Sequence, residues 1–523
     1  MRLSLPLTAL LIIPVLITTS TWCSADEAAQ PKAKIPIGRE TTYLESPLDA
    51  EGNVDYGAAL NAECARGVTL ENNACVALWR TVGPTADPTR DDVYYRALGI
   101  EPPEAVEHPA IDLEDFMKAN PRYIKQLDKA YDWRKDLWQK PWTGAEYPIV
   151  AEWLAANEVP LAGVTEASKR SRYYSPIRMR DDVLGPGPFP VAASWFNHLS
   201  RIVAMRAMLF YGEGRHEDAL DDLATCMRLG RLMQEDPSML GGTWAILSEE
   251  FATTGLLQIV AEFAGTEADY RARLAELDRL ALRVPFARRC DKIVRYEMLD
   301  QLQRIARGEA EAFDSEWAIP ADSGLRIQDV VRMDFERALR RENRRFDTLV
   351  AELNKPDRRA REALVKKSLD EADAAVAHMR KGKAQLFGIP IPPRLPQTAQ
   401  EIGDHLFVSR CRFAESYFRH EEYAELKFQS LRISLGLRIY RAKYGEYPER
   451  LTDLTDRLVM AVPTDPYAGT SFRYSRTAQG CLLYSIADNG VDDGGRTYAD
   501  WEKEPKQSQS LHHWDDIVVR LSK

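Results

Sequence analysis

The sequence predicts a mainly α-helical protein. It reads as helical hairpins followed by a small C-terminal α+β domain with a long helix packed on a three-stranded antiparallel sheet. Three observations predict this. Apolar residues recur at spacings of three and four through most of the chain, which is the helical period. LGPGPFP (184–190) and GIPIPPRLPQ (388–397) suit neither helix nor strand and mark linkers. Alternation at period two appears only near the end, in SFRYSR, CLLYSIA and DDIVVRLS.

Residues 26–50 are polar, carry Pro31, Pro36 and Pro47, and read as an extended lead-in. The N-terminal helical region covers 51–183. Its first part turns at Gly67 as a helical hairpin, prolines between 84 and 121 permit only short helices up to about Lys140, and two further helices part near Pro160. A second region, 190–387, contains RAMLFYGEGRHEDALDDLATCMRLG. There Ala207, Phe210, Gly214, Ala219, Leu223 and Cys226 resemble the small and aromatic contact positions of a tetratricopeptide unit. A single copy is present, and an ordinary antiparallel helix pair accounts for the same residues. Asp329–Leu353 and Arg358–Leu386, broken by NKPD, read as a long charged hairpin whose mixed signs suit a solvated face. In the last region, 398–523, a helix from about Ala399 to Tyr444 carries a core stripe through Leu426, Ile433, Leu437, Tyr440 and Tyr444 and ends at Gly445.

The first 25 residues have the order of an export signal: Arg2, an apolar run from Leu3 to Ile17, and Cys23-Ser24-Ala25 before Asp26. Cleavage after Ala25 predicts a periplasmic or secreted protein, and no later segment has the length of a membrane span. The formal charge is −10, which argues against nucleic acid as a default partner. Of the seven cysteines, Cys64 and Cys75 flank the turn ARGVTLENNA, where a disulfide is geometrically reasonable.

The tail, roughly Leu435 to Leu521, carries LRIYRAKYGEYPERLTDL, then VPTDPYAGTSFRY, LLYSIADNGVDDGG and DDI. In this order the segments resemble the globular domain of the major pseudopilin of type II secretion systems. The resemblance implies a long helix on a small sheet and a calcium-binding loop. Asp488, Asn489, Asp492 and Asp493 would be its ligands, joined from the last strand by Asp515 or Asp516, of which Asp516 before Ile517 matches better. Asn489 stands before Gly490 where that family has an aspartate. A pseudopilin begins with a hydrophobic helix that packs into a filament, whereas this helix contains RHEEYAELK, so the domain shape is expected and filament assembly is not. LNAECARGVTLENNACVALW and AEWLAANEVPLAGVTEASKR are similar to segments of an uncharacterised family of bacterial exported proteins with the same tail. From the residues alone, YSIADNGVDDGG is either a cation loop, calcium taking six to eight oxygens, or a wide turn with solvated aspartates.

No HExxH, GxSxG, GxxxxGK[ST] or paired ExxH occurs in the sequence. The one ExxH, Glu213 to His216, falls on the turn GEGRH, and His512-His513 with Asp515-Asp516 lie on an extended segment that points neighbours to opposite faces. Glu249 and Glu250 interrupt WAILSEEFATTGLLQIV; a buried carboxylate is either an acid or base in a site or the partner of an arginine. The expectation is a non-catalytic exported scaffold or protein-binding protein with a protein partner in the cell envelope, and with calcium as the candidate stabiliser of its tail. One alternative is an extracytoplasmic hydrolase, which requires a cleft holding Glu249 or Glu250 beside a histidine such as His198. The other is an accessory of a secretion or pilus machine. Arginine partners on both glutamates favour the scaffold.

Overall fold

The structure, a computed structural model, describes residues 35–83, 94–102, 106–177, 191–280, 282–309, 330–376, 385–386, 389–390, 398–503 and 515–523. The signal-like segment, residues 178–190 and 391–397 of the two linkers, and His512-His513 lie outside the described residues. The chain is mostly helical, with 17 α-helices and one three-stranded antiparallel sheet among the described residues. No described helix is long and apolar enough to cross a membrane.

The N-terminal helices are short: α1 (Tyr56–Cys64), α2 (Ala74–Val82), α3 (Leu113–Ala119), α4 (Ala130–Asp136), α5 (Pro148–Ala156) and α6 (Glu158–Ala167). Asp55, Asn73 and Asp112 cap α1, α2 and α3, each accepting a backbone N–H of the first turn. The described part of the lead-in, residues 35–50, is anchored. Thr41 and Thr42 are buried, Asn343 donates to the carbonyls of Glu40 and Thr41 at 3.1 and 2.6 Å, and the Tyr43 hydroxyl donates to Asp291 at 3.2 Å. The expected Cys64–Cys75 bridge is absent, and both are free thiols. Asn73 accepts from the Cys75 N–H at 3.0 Å and pairs with the Tyr174 backbone. This turns Cys75 into an aromatic cluster, its Sγ 3.4 Å from the Tyr94 hydroxyl.

Three long helices follow, α7 (Val191–Gly212), α8 (His216–Met233) and α9 (Met239–Glu262), each packed on the next. α8 and α9 approach so closely that a Cβ on Gly230 would lie 2.6 Å from Glu249 Cγ, and one on Gly255 2.7 Å from Leu223 Cδ2. Next come α10 (Glu267–Asp278), α11 (Phe286–Arg289), a π-helical turn Cys290–Val294, α12 (Arg295–Ala306), α13 (Phe335–Leu353) and α14 (Arg358–Val376). α13 starts later than its periodicity implies, because Asp334 caps it by accepting from Arg337 N, leaving Val331 outside. Gln385–Leu386, read from the sequence as helix, pair antiparallel with Ile389–Pro390.

α15 (Ala399–Tyr444) has 46 residues and spans about 69 Å at ~1.5 Å per residue. Thr398 caps its start, and Gly445 at φ 84° ends it in the left-handed conformation. The helix runs through two hydrophobic cores. Its first half, Ala399 to Ala424, shares one core with residues of α1, α11, α12, α13 and α14. Its second half, from Leu426, shares the other with residues of α2, α5 to α10 and the sheet. Each of the three regions read from the sequence contributes to both cores. From Leu426 to Tyr440 the burial extends well beyond one stripe, taking in Leu431, Ser434, Leu435, Arg438 and Ile439, because α9 and α10 cover a second face. Tyr444 is 39% exposed and lies outside the core stripe assigned to it.

α16 (Thr452–Leu458) lies on α15, and the sheet follows with order β1-β2-β3: β1 (Arg473–Thr477), β2 (Gly480–Ser485) and β3 (Ile517–Ser522), with α17 (Tyr498–Lys503) between β2 and β3. Thr477 pairs with Gly480, so Ala478 and Gln479 form a two-residue turn. Cys481 and Leu483 pair with Leu521 and Val519, and these four make the buried face. Buried Arg438 donates to the carbonyls of Val260, Ala261 and Ser522. It thereby caps the end of α9 and fixes the last strand against it.

Val459 ends α16 at φ 57° and is 90% exposed; its N–H bonds to Thr455 O at 3.1 Å, and Met460 N reaches Leu454 O at 3.2 Å. This position normally takes glycine, since a β-branched residue there costs roughly 1–2 kcal/mol. Val459→Gly is expected to raise stability by about 1 kcal/mol, read as a higher urea midpoint at unchanged slope.

Candidate cation site

β2 stops at Ser485, and the chain turns through Ala487 at φ 45° and Gly490 at φ 68°, with Asn489 Oδ1 accepting from Val491 N at 2.6 Å. It then folds back over the strand. A Cβ on Gly495 would lie 2.9 Å from Leu482 Cδ2, and this position requires glycine at φ 75°. That return brings Asp493 beside Asp515 and Asp516 at the start of β3. One carboxylate oxygen from each lies within 4.8 Å of the others.

The five residues proposed from the sequence divide. Asp493 and Asp516 converge, and Asp515, offered as the alternative to Asp516, joins them. Asp492 is drawn outward by Arg473 at 3.2 Å, the Tyr484 hydroxyl at 2.9 Å and Gly494 N at 3.0 Å. Asp488 pairs with Arg358 at 2.8 Å. Asn489 donates its side-chain amide to Asp493 at 3.2 Å and its backbone N–H to Asp515 at 3.0 Å, so it braces two carboxylates.

Asp516 is 3% exposed and accepts from Gly495 N at 2.8 Å through Oδ2; its Oδ1 and the Asp515 Oδ1 are buried with no hydrogen-bond partner. Burial, then repulsion from Asp493, Asp492 and Asp515, pushes the Asp516 carboxyl up to about 6, and burial raises Asp515 as well. Three crowded carboxylates with two orphaned oxygens fit a hard, oxygen-ligated cation, and the absence of thiol or imidazole from the trio disfavours a soft metal.

The other candidates are engaged elsewhere. Glu249, fully buried, meets Arg231 at 2.9 Å and Arg283 at 2.7 Å, with Gln234 at 3.3 Å. Glu250 meets Lys427 at 3.1 Å. His198 lies between Asp112 at 3.4 Å and Arg201 at 3.1 Å, its ring stacked on Trp195, and burial lowers its pKa. Glu213 accepts from Gly144 N at 3.3 Å while His216 stacks on Tyr211, so the ExxH pair does not converge. The cavity lined by Leu220, Met227, Leu256, Leu277 and Leu431 has a volume of about 30 Å³, room for only about two waters. Sequence reasoning expected an arginine on Glu249 without naming Arg231 or Arg283, and did not find Arg358, which joins Glu422 and Asp488 from a different helix.

In comparison with known proteins, no family model matches the chain, and no curated protein or solved structure matches it.

Glu421 of α15 offers a pH test. It accepts from Phe286 N at 3.2 Å and faces Arg289, Arg283 and Glu422. Burial outweighs the arginines and pushes it up to about 7. A carboxyl raised in the folded state gives stability at low pH that is lost as pH rises from about 4.5 to about 7. Glu421→Gln is expected to match the wild type in urea midpoint at pH 5 and exceed it at pH 8.

Proposed function

We propose that the chain is a non-catalytic, exported cell-envelope scaffold or protein-binding protein whose C-terminal domain is stabilised by calcium. The observation that carries this reading is the countering of buried Glu249 by Arg231 and Arg283, with half-buried Glu250 paired to Lys427 in place of the expected arginine. A glutamate locked between two guanidiniums is a structural brace and a poor proton shuttle. Export rests on the signal-like first 25 residues. The pair α7 and α8, tetratricopeptide-like in one stretch of sequence, would offer a surface for a protein partner in the envelope.

Calcium rests on the trio of Asp493, Asp515 and Asp516 together with the pseudopilin-like order of the tail segments. Bound there, a divalent cation would supply the positive charge that the three carboxylates lack, with affinity in the weak range of extracellular sites. Asp493 and Asp516 would hold it with Asp515, and Asn489 would orient the first and third.

Two outcomes test the reading. Thermal melts with millimolar calcium and with excess chelator are expected to differ by several degrees in the wild type and to coincide in an Asp493→Ala, Asp516→Ala double variant. Coincident wild-type curves reject the cation. Glu249→Ala is expected to cost about 3–5 kcal/mol, since it strands two buried guanidiniums. A stable variant with intact secondary structure rejects the brace and reopens the hydrolase.

A further inference from the structure

Arg358 begins α14 and is only 6% exposed, yet its guanidinium serves three carboxylates on three elements. Its Nε donates to Glu422 of α15 at 2.5 Å, Nη1 to Glu362 one turn along α14 at 3.2 Å, and Nη2 to Asp488 of the acidic loop at 2.8 Å. Its Cζ lies 3.8 Å from the centre of the Tyr467 ring, which fixes the plane of the fork. Asp488 immediately precedes Asn489, the residue that braces Asp493 and Asp515. A continuous chain of direct contacts therefore runs from α14 through Arg358, Asp488 and Asn489 to the trio. The trio carries its own mark of a ligand site in the buried, unpartnered Asp516 Oδ1.

We infer that Arg358 is a positioning residue that couples cation occupancy of the tail loop to the docking of α14 on α15. The inference rests on the cation reading above and adds its consequence for the helical body. Without a cation, repulsion among Asp493, Asp515 and Asp516 works against the loop, and the Asp488 carboxylate must be ordered at the expense of Arg358's grip. With a cation, Asn489 is held by two carboxylates that no longer repel. Asp488 then stands in place for the guanidinium, and closing the contact costs less conformational entropy. Coupling is reciprocal, so a docked α14 also favours the occupied loop. Lysine cannot reproduce this. A single ammonium keeps the charge but lacks the planar fork that reaches Glu422, Glu362 and Asp488 together.

The experiment is amide hydrogen exchange on the full chain, with millimolar calcium and with chelator, for the wild type, Arg358→Lys and Arg358→Gln. Circular dichroism first establishes that each variant is folded. In the wild type, calcium is expected to slow exchange severalfold both in the loop 486–497 and in the first turns of α14. In Arg358→Lys the loop is expected to keep its protection and α14 to lose its calcium response, and Arg358→Gln serves the same comparison if the lysine variant is unfolded. Wild-type α14 indifferent to calcium while the loop responds overturns the coupling and leaves the cation reading standing. A calcium response in α14 that survives in the folded variants also overturns it. A wild-type loop with no calcium response overturns both readings.

Discussion

The burial of α15 is the constraint on which the rest of the structure depends. A helix of 46 residues in water exposes one face; this one is covered by α9, α10, α13, α14, α16 and the sheet, so the elements around it must be shaped to meet it. Where the first core gives way to the second, between Ala424 and Leu426, α15 carries Glu421, Glu422, Glu425 and Lys427. Charges in such a place must find partners. Glu422 takes Arg358 and Arg361, Glu425 takes Arg283, and Lys427 takes Glu250. These pairs add little net stability over a well-packed apolar seam. They do fix the rotation and register of a long helix between two otherwise tolerant hydrophobic surfaces.

Buried arginines solve a second problem that the same packing creates. When long helices end inside a protein, their last carbonyls lose water and require donors. Arg289 donates to the carbonyls of Gln234, Asp236 and Ser238 beyond α8, and Arg438 does the same for α9. The space for Arg289 is made by Gly242, where a Cβ would sit 2.6 Å from its Cζ. A fork of five N–H groups on a long stem can satisfy several carbonyls at once.

What the sequence made legible follows from range. α15 and its end at Gly445 could be read because period and a left-handed cap are local properties, and the β1–β2 hairpin because alternation flanked a short polar turn. The ion pairs could not be read: Glu249 is 34 residues from Arg283, and Arg358 is 64 and 130 residues from Glu422 and Asp488. Tyr444 fitted the period yet emerges from the core, because the stripe is set by what covers the helix and the cover ends first. In the acidic loop the residue types were legible and the division of labour was not. Asp488 and Asp492 look like Asp493 in sequence, and only the positions of Arg358 and Arg473 separate them.

That division bears on function through a contrast in charge. Asp222, Glu249, Glu297 and Glu422 are deep carboxylates, and each meets a guanidinium, at 2.7, 2.9, 3.1 and 2.5 Å. Asp493, Asp515 and Asp516 are brought instead against one another. Their neighbours Arg496 and Arg520 donate to the backbone carbonyls of Asp493 and Gly495, which tightens the loop around the trio. Negative charge is thereby gathered at one place in the tail. Burial and the neighbouring carboxylates push the Asp516 carboxyl up to about 6, while hydrogen bonds from Asn489 and Gly495 hold Asp493 and Asp516 in place. What distinguishes this trio from a solvated turn, in which the same aspartates would separate into water, is the pair of buried, unpartnered oxygens, Asp515 Oδ1 and Asp516 Oδ1.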